Sequence, residues 1–386
     1  MFRSLASIRL TSVAFLLAVV SPSFAQGIDT VARQAIVVDY NTGTVLMEKN
    51  ADELMTPSSM SKLMTVYQVL SRLKEGSLKG SDILPVSESA WRKHYRSGGS
   101  LMFLPVNSQA SVDDLLRGII IQSGNDACSV IAEGLSGSEE AFAEEATRRA
   151  RQIGLTHSTF KNASGWPEEG HQMTARDLSL LAAHLIRDFP EYYPIFAEKE
   201  FAFHGIRQGN RNPLLWQNIA GADGLKTGHS EAGGFGLTGS AIRDGRRVIV
   251  VLNGLPDGKS RADESRRLIE WAFRDFNNYL LFNPGDVVAE AETWLGNPAK
   301  IPLTVETPVE VTLNRTARPN MKVVASYDGP LKAPIKKGAR VGMLTVEAPG
   351  MAPLQRPLIA GADAEKLGFI RRIGAMISQI LWGPPS

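Results

Sequence analysis

The chain has 386 residues, 43% of them hydrophobic, and a formal net charge of +2. This length and hydrophobic content exclude a disordered chain and predict a globular protein of about two domains. The near-neutral charge gives no indication of nucleic acid as a partner, and the single cysteine, Cys128, excludes an intramolecular disulfide.

The N-terminal segment, residues 1–25, is predicted to be a secretory signal peptide. Arg3 and Arg9 flank a charge-free apolar run over residues 10–20, and small residues up to Ala25 offer a cleavage site. A membrane anchor is the alternative, but the run is too short to span a bilayer. We expect an exported protein without disulfides, which is typical of the bacterial envelope.

Helical and strand periodicities alternate along the next 250 residues. A β-hairpin is predicted at residues 35–47, and a Pro-Ser-Ser sequence at Pro57 precedes a helix that is expected to begin at Ser58 or Ser59. Further helices are predicted over residues 112–121, 126–135, 139–153, 175–187 and 262–276, and strands over residues 235–241 and 246–252. Terminal strands with helices inserted between them predict one α+β or α/β domain over residues 26–282.

Two smaller segments follow this domain. Pro, Gly and short β-rich runs become frequent from Asn283, which predicts a small all-β domain over residues 283–362. The last segment, residues 363–386, contains an amphipathic helix from Leu367 to Trp382. We expect this helix to bind a membrane surface, since basic residues lie on its polar face; packing on the β domain is the alternative.

Three short motifs can supply a nucleophile, a base, a proton relay and an anion clamp to one cleft. They are Ser59-Met60-Ser61-Lys62, Ser123-Gly124-Asn125 and Lys226-Thr227-Gly228. Each is weak alone, because serines and lysines at these spacings also occur as helix caps and surface residues.

The first motif places Ser59 and Lys62 on one face of a helix. The helix N-terminus favours developing negative charge at Ser59. Lys62 acts as a base only when neutral, and both burial and a second cation such as Lys226 lower a lysine pKa. The same spacing recurs at Ser71/Lys74, where Ser71 lies mid-helix, and at Ser158/Lys161, which follows the second motif. Only Ser59 has a helix start and the expected order.

The other two motifs supply polar groups for a substrate. Ser123 can pass a proton to a leaving amine, and Asn125 can hold a substrate carbonyl or amide, although a helix cap is the alternative. Lys226 and Thr227 suit a carboxylate, and Gly228 is expected to clear the path of the substrate. The backbone N–H of His229 can complete an oxyanion hole with that of Ser59.

With these motifs, the chain resembles the low-molecular-mass penicillin-binding proteins that act as serine D-alanyl-D-alanine carboxypeptidases. The resemblance covers nearly the whole mature chain. It includes the stretches Ser100-Leu101-Met102-Phe103-Leu104, Ile121 to Cys128, Glu198-Lys199-Glu200-Phe201, Gly205-Ile206-Arg207-Gln208 and Gly224 to His229. It implies a β-lactamase/transpeptidase-like α+β fold, in which an antiparallel sheet has helices on both faces, followed by a small β domain and an amphipathic helix.

The resemblance also implies roles for individual residues. Ser59 would be acylated, Lys62 would be its base, and Ser123 and Asn125 would form the second wall. Lys226 and Thr227 would bind the terminal carboxylate, and so would Arg261, whose guanidinium suits a two-point contact. The alternative for Arg261 is a surface residue at a helix start, and Cys128 is either near the site or an inert buried thiol. No cofactor or metal is expected.

The implied reaction removes the terminal D-alanine from peptidoglycan stem peptides in the periplasm, and β-lactams would acylate the same serine. A β-lactamase is the nearest alternative, but the Glu-x-x-Leu-Asn segment that supplies its deacylating base is missing; Glu168 and Glu169 have no Leu-Asn partner. A D,D-endopeptidase acting on crosslinks is closer in chemistry, and the residues do not exclude it. A non-catalytic wall-binding module is the third hypothesis.

Overall fold

The structure, a computed structural model, describes residues 28–368. Within them lie seven α-helices: α1 (Lys62–Glu75), α2 (Glu88–His94), α3 (Val112–Ile120), α4 (Asn125–Ser136), α5 (Glu139–Gln152), α6 (Ala175–Asp188) and α7 (Gly258–Asp275). The strands of the first part are β1 (Gln34–Asp39), β2 (Val45–Lys49), β3 (Ile83–Pro85), β4 (Gln109–Ser111), β5 (Glu200–Phe203), β6 (Ile206–Gly209), β7 (Ala222–Ser230), β8 (Gly234–Arg243) and β9 (Arg246–Leu255).

The second part is built of strands. They are β10 (Phe276–Phe282), β11 (Val287–Trp294), β12 (Gly296–Asn297), β13 (Lys300–Thr304), β14 (Val309–Asn314), β15 (Lys322–Tyr327), β16 (Leu331–Lys332), β17 (Arg340–Glu347), β18 (Leu354–Ala360) and β19 (Glu365–Lys366). The predicted signal peptide lies outside the described residues, and so does the predicted terminal helix from residue 369 onward. No helix in the described part of the chain is both long and apolar enough to cross a membrane.

The central sheet has the order β2-β1-β9-β8-β7, and its neighbouring strands are antiparallel. Successive side chains of a strand point to opposite faces. On β9, Ile249 and Val251 accordingly join the core with α1 and α6, while Val248 and Val250 pack against α7. Helices therefore cover both faces of the sheet, as the resemblance implied.

Local capping explains where most of the predicted helices begin. The side chains of Ser111, Ser138, Thr174 and Asp257 each accept a backbone N–H from the first turn of the helix that follows. The cap at Asp257 starts α7 four residues before the position predicted from periodicity. Helix α2 was not predicted, because it is short and its sequence is mostly polar.

The β-rich part forms a second core. A six-stranded sheet has the order β15-β17-β18-β13-β11-β16, and β10 pairs with β14 beside it. The proposed boundary at residues 282 and 283 falls at the end of β10, so this strand hydrogen-bonds to the second part while continuing directly from α7.

Candidate active site

Ser59 lies on a 3-10 turn, Ser58–Ser61, that leads directly into α1. Lys62 is the first residue of α1 and is fully buried. Its Nζ donates hydrogen bonds to Ser59 Oγ at 2.8 Å, to Asn125 Oδ1 at 2.7 Å and to the Ser164 carbonyl at 2.5 Å. Three acceptors thus fix the amine beside the serine hydroxyl.

The environment of Lys62 favours its neutral form. Burial lowers the pKa of Lys62 from its usual range to about 8, and the Arg211 guanidinium lowers it further. The carboxylates of Asp126 and Glu139 act in the opposite direction. A lysine that is partly neutral near pH 8 is suited to accept a proton from Ser59.

The second motif lies at the turn between α3 and α4. Ser123 has a positive φ of 61°, and Asn125 is the first residue of α4. The carboxylate of Asp126 accepts the N–H groups of Met102 at 2.8 Å and Leu104 at 3.1 Å. This helix start therefore also anchors the segment whose residues 98–100 line the cleft.

The third motif lies on β7, and its residues differ in exposure to the cleft. Lys226 is buried, and its Nζ donates to Ser123 Oγ at 3.0 Å and to the carbonyl of Thr227 at 3.2 Å. Burial, followed by the charge of Lys62, lowers the pKa of Lys226 well below its usual range. The amine of Lys226 thus contacts a serine of the site, whereas Thr227 lines the cleft.

Gly228 allows a close approach between two elements of the site. A Cβ at this position would lie 2.8 Å from the Pro57 carbonyl oxygen and 3.1 Å from Met60 Cγ. The missing side chain therefore lets β7 pack against the 3-10 turn of Ser59. Gly228 also lines the cleft, and its role in clearing the path of the substrate stays a prediction.

These elements enclose a cleft of about 830 Å³. Its lining includes the predicted residues Ser59, Ser123, Asn125, Thr227, His229 and Arg261. Phe235 and Trp166 add apolar surface. The structure therefore brings residues from all three motifs to one cavity, with the amines of Lys62 and Lys226 buried next to its hydroxyl groups.

Two guanidinium groups reach the cleft. Arg261, in the first turn of α7, lies over the Phe235 ring at 5.6 Å, and among the described residues its buried Nε has no hydrogen-bond partner. Arg211, which was not predicted, also lines the cleft and donates to Ser100 Oγ. Its only sequence signal was a basic residue in an Asn-rich loop, Asn210-Arg211-Asn212.

His229 stacks its exposed ring on Phe235, with the ring centroids 3.8 Å apart. The imidazole of His229 therefore packs on an aromatic side chain of the cleft. Cys128 is fully buried, does not line the cleft, and has a pKa that burial raises to about 12. Of the two predicted roles for Cys128, the structure thus favours the inert buried thiol over a residue near the site.

The two rival serines are engaged elsewhere. Ser71 Oγ donates to the Tyr67 carbonyl at 2.8 Å, as expected for a mid-helix serine. Ser158 Oγ donates to Asp177 Oδ2 at 2.7 Å. Neither serine lines the cleft.

Sequence reasoning also missed the loop that carries Ser164. Asn162 Oδ1 accepts the N–H groups of Ser164, Gly165 and Trp166 at 2.8–3.2 Å. Gly165 has φ +74°, and a Cβ there would lie 2.1 Å from the Ser58 carbonyl. The Asn followed by Gly three residues later was a turn signal, but nothing in it indicated a contact with Lys62.

Comparison with known families matches both parts of the chain. The family described as D-alanyl-D-alanine carboxypeptidase matches residues 20–255, and that described as penicillin-binding protein 5, C-terminal domain, matches residues 276–366. The D-alanyl-D-alanine carboxypeptidase DacC of Escherichia coli is 39% identical over 345 residues, which are 89% of this chain and 86% of DacC.

Two solved structures are similar to this chain, one over nearly the whole chain and one over about two thirds of it. Penicillin-binding protein 5 of Haemophilus influenzae superposes with a TM-score of 0.79 at 33% identity, and covers 89% of this chain and all of its own. Penicillin-binding protein D2 of Listeria monocytogenes, solved in an ampicillin-bound form, superposes with a TM-score of 0.58 at 29% identity. It covers 64% of this chain and all of its own.

Proposed function

The chain belongs to the D-alanyl-D-alanine carboxypeptidase family, and from this membership we propose that it removes the terminal D-alanine from peptidoglycan stem peptides. The observation that carries the mechanism is the Lys62 amine, held 2.8 Å from Ser59 Oγ at the edge of a cleft that also contains two guanidinium groups. This arrangement joins an activated nucleophile to a binding site for a terminal carboxylate.

The acylation step begins when neutral Lys62 accepts the proton of Ser59 Oγ. The oxygen attacks the carbonyl carbon of the penultimate D-alanine, and the C–N bond to the last residue breaks. Ser123, hydrogen-bonded to Lys226, lies in the cleft to relay a proton to the leaving amine. D-alanine departs, and water then hydrolyses the ester and regenerates Ser59.

The backbone N–H groups of Ser59 and His229 are proposed as the oxyanion hole, since both residues line the cleft. Asn125 is proposed to hold the substrate amide while it also accepts from Lys62. For the terminal carboxylate we propose Thr227 and Arg261 at the cleft surface, joined by Arg211. Lys226 contributes through its hydrogen bond to Ser123.

The test is acylation by penicillin, followed by mass spectrometry of the peptide that carries the adduct. We expect the adduct on Ser59 and no D-alanine release from a linear pentapeptide by S59A. Release by S59A at the wild-type rate would overturn the mechanism.

The lifetime of the penicillin adduct and the preferred peptide substrate separate the competing activities. A penicillin adduct that persists for minutes supports a carboxypeptidase, whereas turnover of many molecules per second would make the protein a β-lactamase. Glu168 is exposed, does not line the cleft and accepts from Asn162 Nδ2 at 2.9 Å, so its carboxylate is not placed as a deacylating base. Cleavage of crosslinked dimers in preference to pentapeptide would make it an endopeptidase.

We further propose that the protein is exported, that residues 1–25 are removed, and that residues 367–382 bind the periplasmic face of the cytoplasmic membrane. The support is the amphipathic sequence of that segment. Truncation before Leu367 should release the protein from sedimented membranes and leave penicillin acylation unchanged. A truncated protein that still sediments would contradict the anchor.

A further inference from the structure

Glu139, the first residue of α5, is a buried carboxylate that the reaction steps do not use. Its side chain is 8% exposed. Its Oε1 accepts the Ala163 N–H at 3.0 Å, and its Oε2 accepts from Lys93 Nζ at 2.5 Å and from Ser129 Oγ at 3.3 Å. Burying a charge is costly unless it is paired and hydrogen-bonded, so this carboxylate is held by a specific set of partners.

The residue that Glu139 holds, Ala163, directly precedes the residue that contacts Lys62. Ala163 is also held through its carbonyl, which accepts from Thr65 Oγ1 of α1 at 2.6 Å. The next residue is Ser164, whose carbonyl accepts from Lys62 Nζ. The backbone at Ala163 is thus fixed on one side by α5 and on the other by the helix that carries Lys62.

We propose that Glu139 is a positioning residue for the acylation of Ser59: by holding the Ala163 N–H, it fixes the Ser164 carbonyl, which in turn holds Lys62 Nζ beside Ser59 Oγ. The proposal deepens the proposed function and rests on it. Glu139 contacts neither the cleft nor Ser59 within the described residues, so it acts through the loop and through its charge.

The charge of Glu139 also affects the pKa of Lys62, which several ionisable groups face. Asp126 and Cys128 face it from α4, Glu139 from α5, Lys226 from β7, and Arg211 from a loop, while His94 and His171 lie within range of its field. Glu139 raises the pKa of Lys62 against the effect of burial. Removing this carboxylate should therefore lower the pKa of Lys62.

The test measures the second-order rate of penicillin acylation against pH in the full chain. E139Q keeps an acceptor for the Ala163 N–H but loses the charge, so the acid limb should move to lower pH with a plateau within about twofold of wild type. E139A loses the acceptor as well. The plateau of its acylation rate should fall about ten- to a hundredfold. In D-alanine release by E139A, the fall in kcat should be larger than the change in KM.

E140Q is the matched control, since Glu140 is the adjacent, exposed carboxylate of the same helix turn. E140Q should keep the wild-type position of the acid limb and the wild-type plateau of the acylation rate. A wild-type plateau in E139A overturns the proposal, and so does an acid limb in E139Q that stays in place or moves to higher pH. If E139A does not fold, the limb of E139Q decides. Failure of the wild type to become acylated at Ser59 would instead refute the proposed function.

Discussion

At the scale of single residues, two buried lysines each donate a hydrogen bond to one serine of the site. Lys62 contacts Ser59, and Lys226 contacts Ser123. Both amines have lost their hydration, and the Lys62 ammonium further lowers the pKa of Lys226. Burial thus makes Lys62 partly neutral near pH 8, as its proposed role as a base requires, while the guanidinium groups of Arg211 and Arg261 remain charged.

Acylation should follow the titration of Lys62. A base works only when deprotonated, so the rate should fall about tenfold per pH unit below the pKa of about 8 and level off above it. The measurement is the rate of labelling by a fluorescent penicillin between about pH 5.5 and pH 9.5.

The variant K62R keeps the positive charge but cannot lose its proton in this range, and should acylate at least about a hundredfold more slowly at every pH. A wild-type profile that is flat through pH 8, or an active K62R, would exclude Lys62 as the base.

A guanidinium that binds the terminal carboxylate should discriminate against substrates without one. R261Q should lower kcat/KM for a D-Ala-D-Ala peptide about ten- to a hundredfold. The same peptide with a C-terminal amide should be turned over equally poorly by both enzymes. If R261Q lost the same factor with the amide, Arg261 would act on the structure of the cleft instead of on the carboxylate.

At the scale of elements, the catalytic geometry depends on how closely β7 lies against the 3-10 turn before α1. Gly228 sets this distance, because any Cβ there meets the Pro57 carbonyl, a backbone atom. The loop of Asn162 closes the other side of the turn, where Gly165 meets the Ser58 carbonyl. Gly228 and Gly165 thus allow a strand and a loop to pack closely on the turn that carries Ser59, the proposed nucleophile.

G228A should therefore separate β7 from the turn. We expect acylation to fall about a hundredfold, with the free energy of unfolding lowered by about 1–3 kcal/mol. Penicillin labelling and thermal unfolding measure the two effects. G209A on β6 is the matched control, since its Cβ would first meet Trp216 Cζ2 at 3.5 Å, an ordinary contact. Wild-type acylation by G228A would show that this packing does not position Ser59.

At the scale of the whole molecule, a buried ion pair lies where the catalytic part meets the β-rich part. Asp39 of β1 is fully buried, and its Oδ2 accepts from Arg246 Nε at 2.7 Å. Its Oδ1 accepts from Asn278 Nδ2 of β10 at 3.1 Å. Arg246 also donates to the carbonyl of Phe276 at 2.8 Å. The central sheet and the first strand of the second part therefore share one charged network.

Removing one partner of this pair should destabilise the protein. D39A leaves the Arg246 charge buried without its carboxylate, which should lower the free energy of unfolding by about 3–5 kcal/mol. Denaturant unfolding measures the loss. D263A, which removes exposed pairs with Lys259 and Arg266, should change it by less than about 1 kcal/mol. Equal effects of the two variants would show that the junction is not stabilised by this pair.

The sequence by itself determined the order of the three motifs and set Ser59 apart from Ser71 and Ser158, because helix starts and turn residues are local signals. Periodicity left an α+β and an α/β domain open, and the family resemblance implied the α+β fold. It did not indicate which groups face one another. Lys62 lies 63 residues from Asn125 and 102 from Ser164, and Lys226 lies 103 from Ser123.

Only the tertiary structure decided these contacts. It buried Lys226 beside Ser123, brought Arg211 to the lining of the cleft, turned the absent Cβ of Gly228 towards Pro57, and connected Glu139 to Lys62 through the loop of Ser164. The physical reason is that each of these properties depends on burial and on neighbours distant in sequence, and local residue patterns carry no information about either.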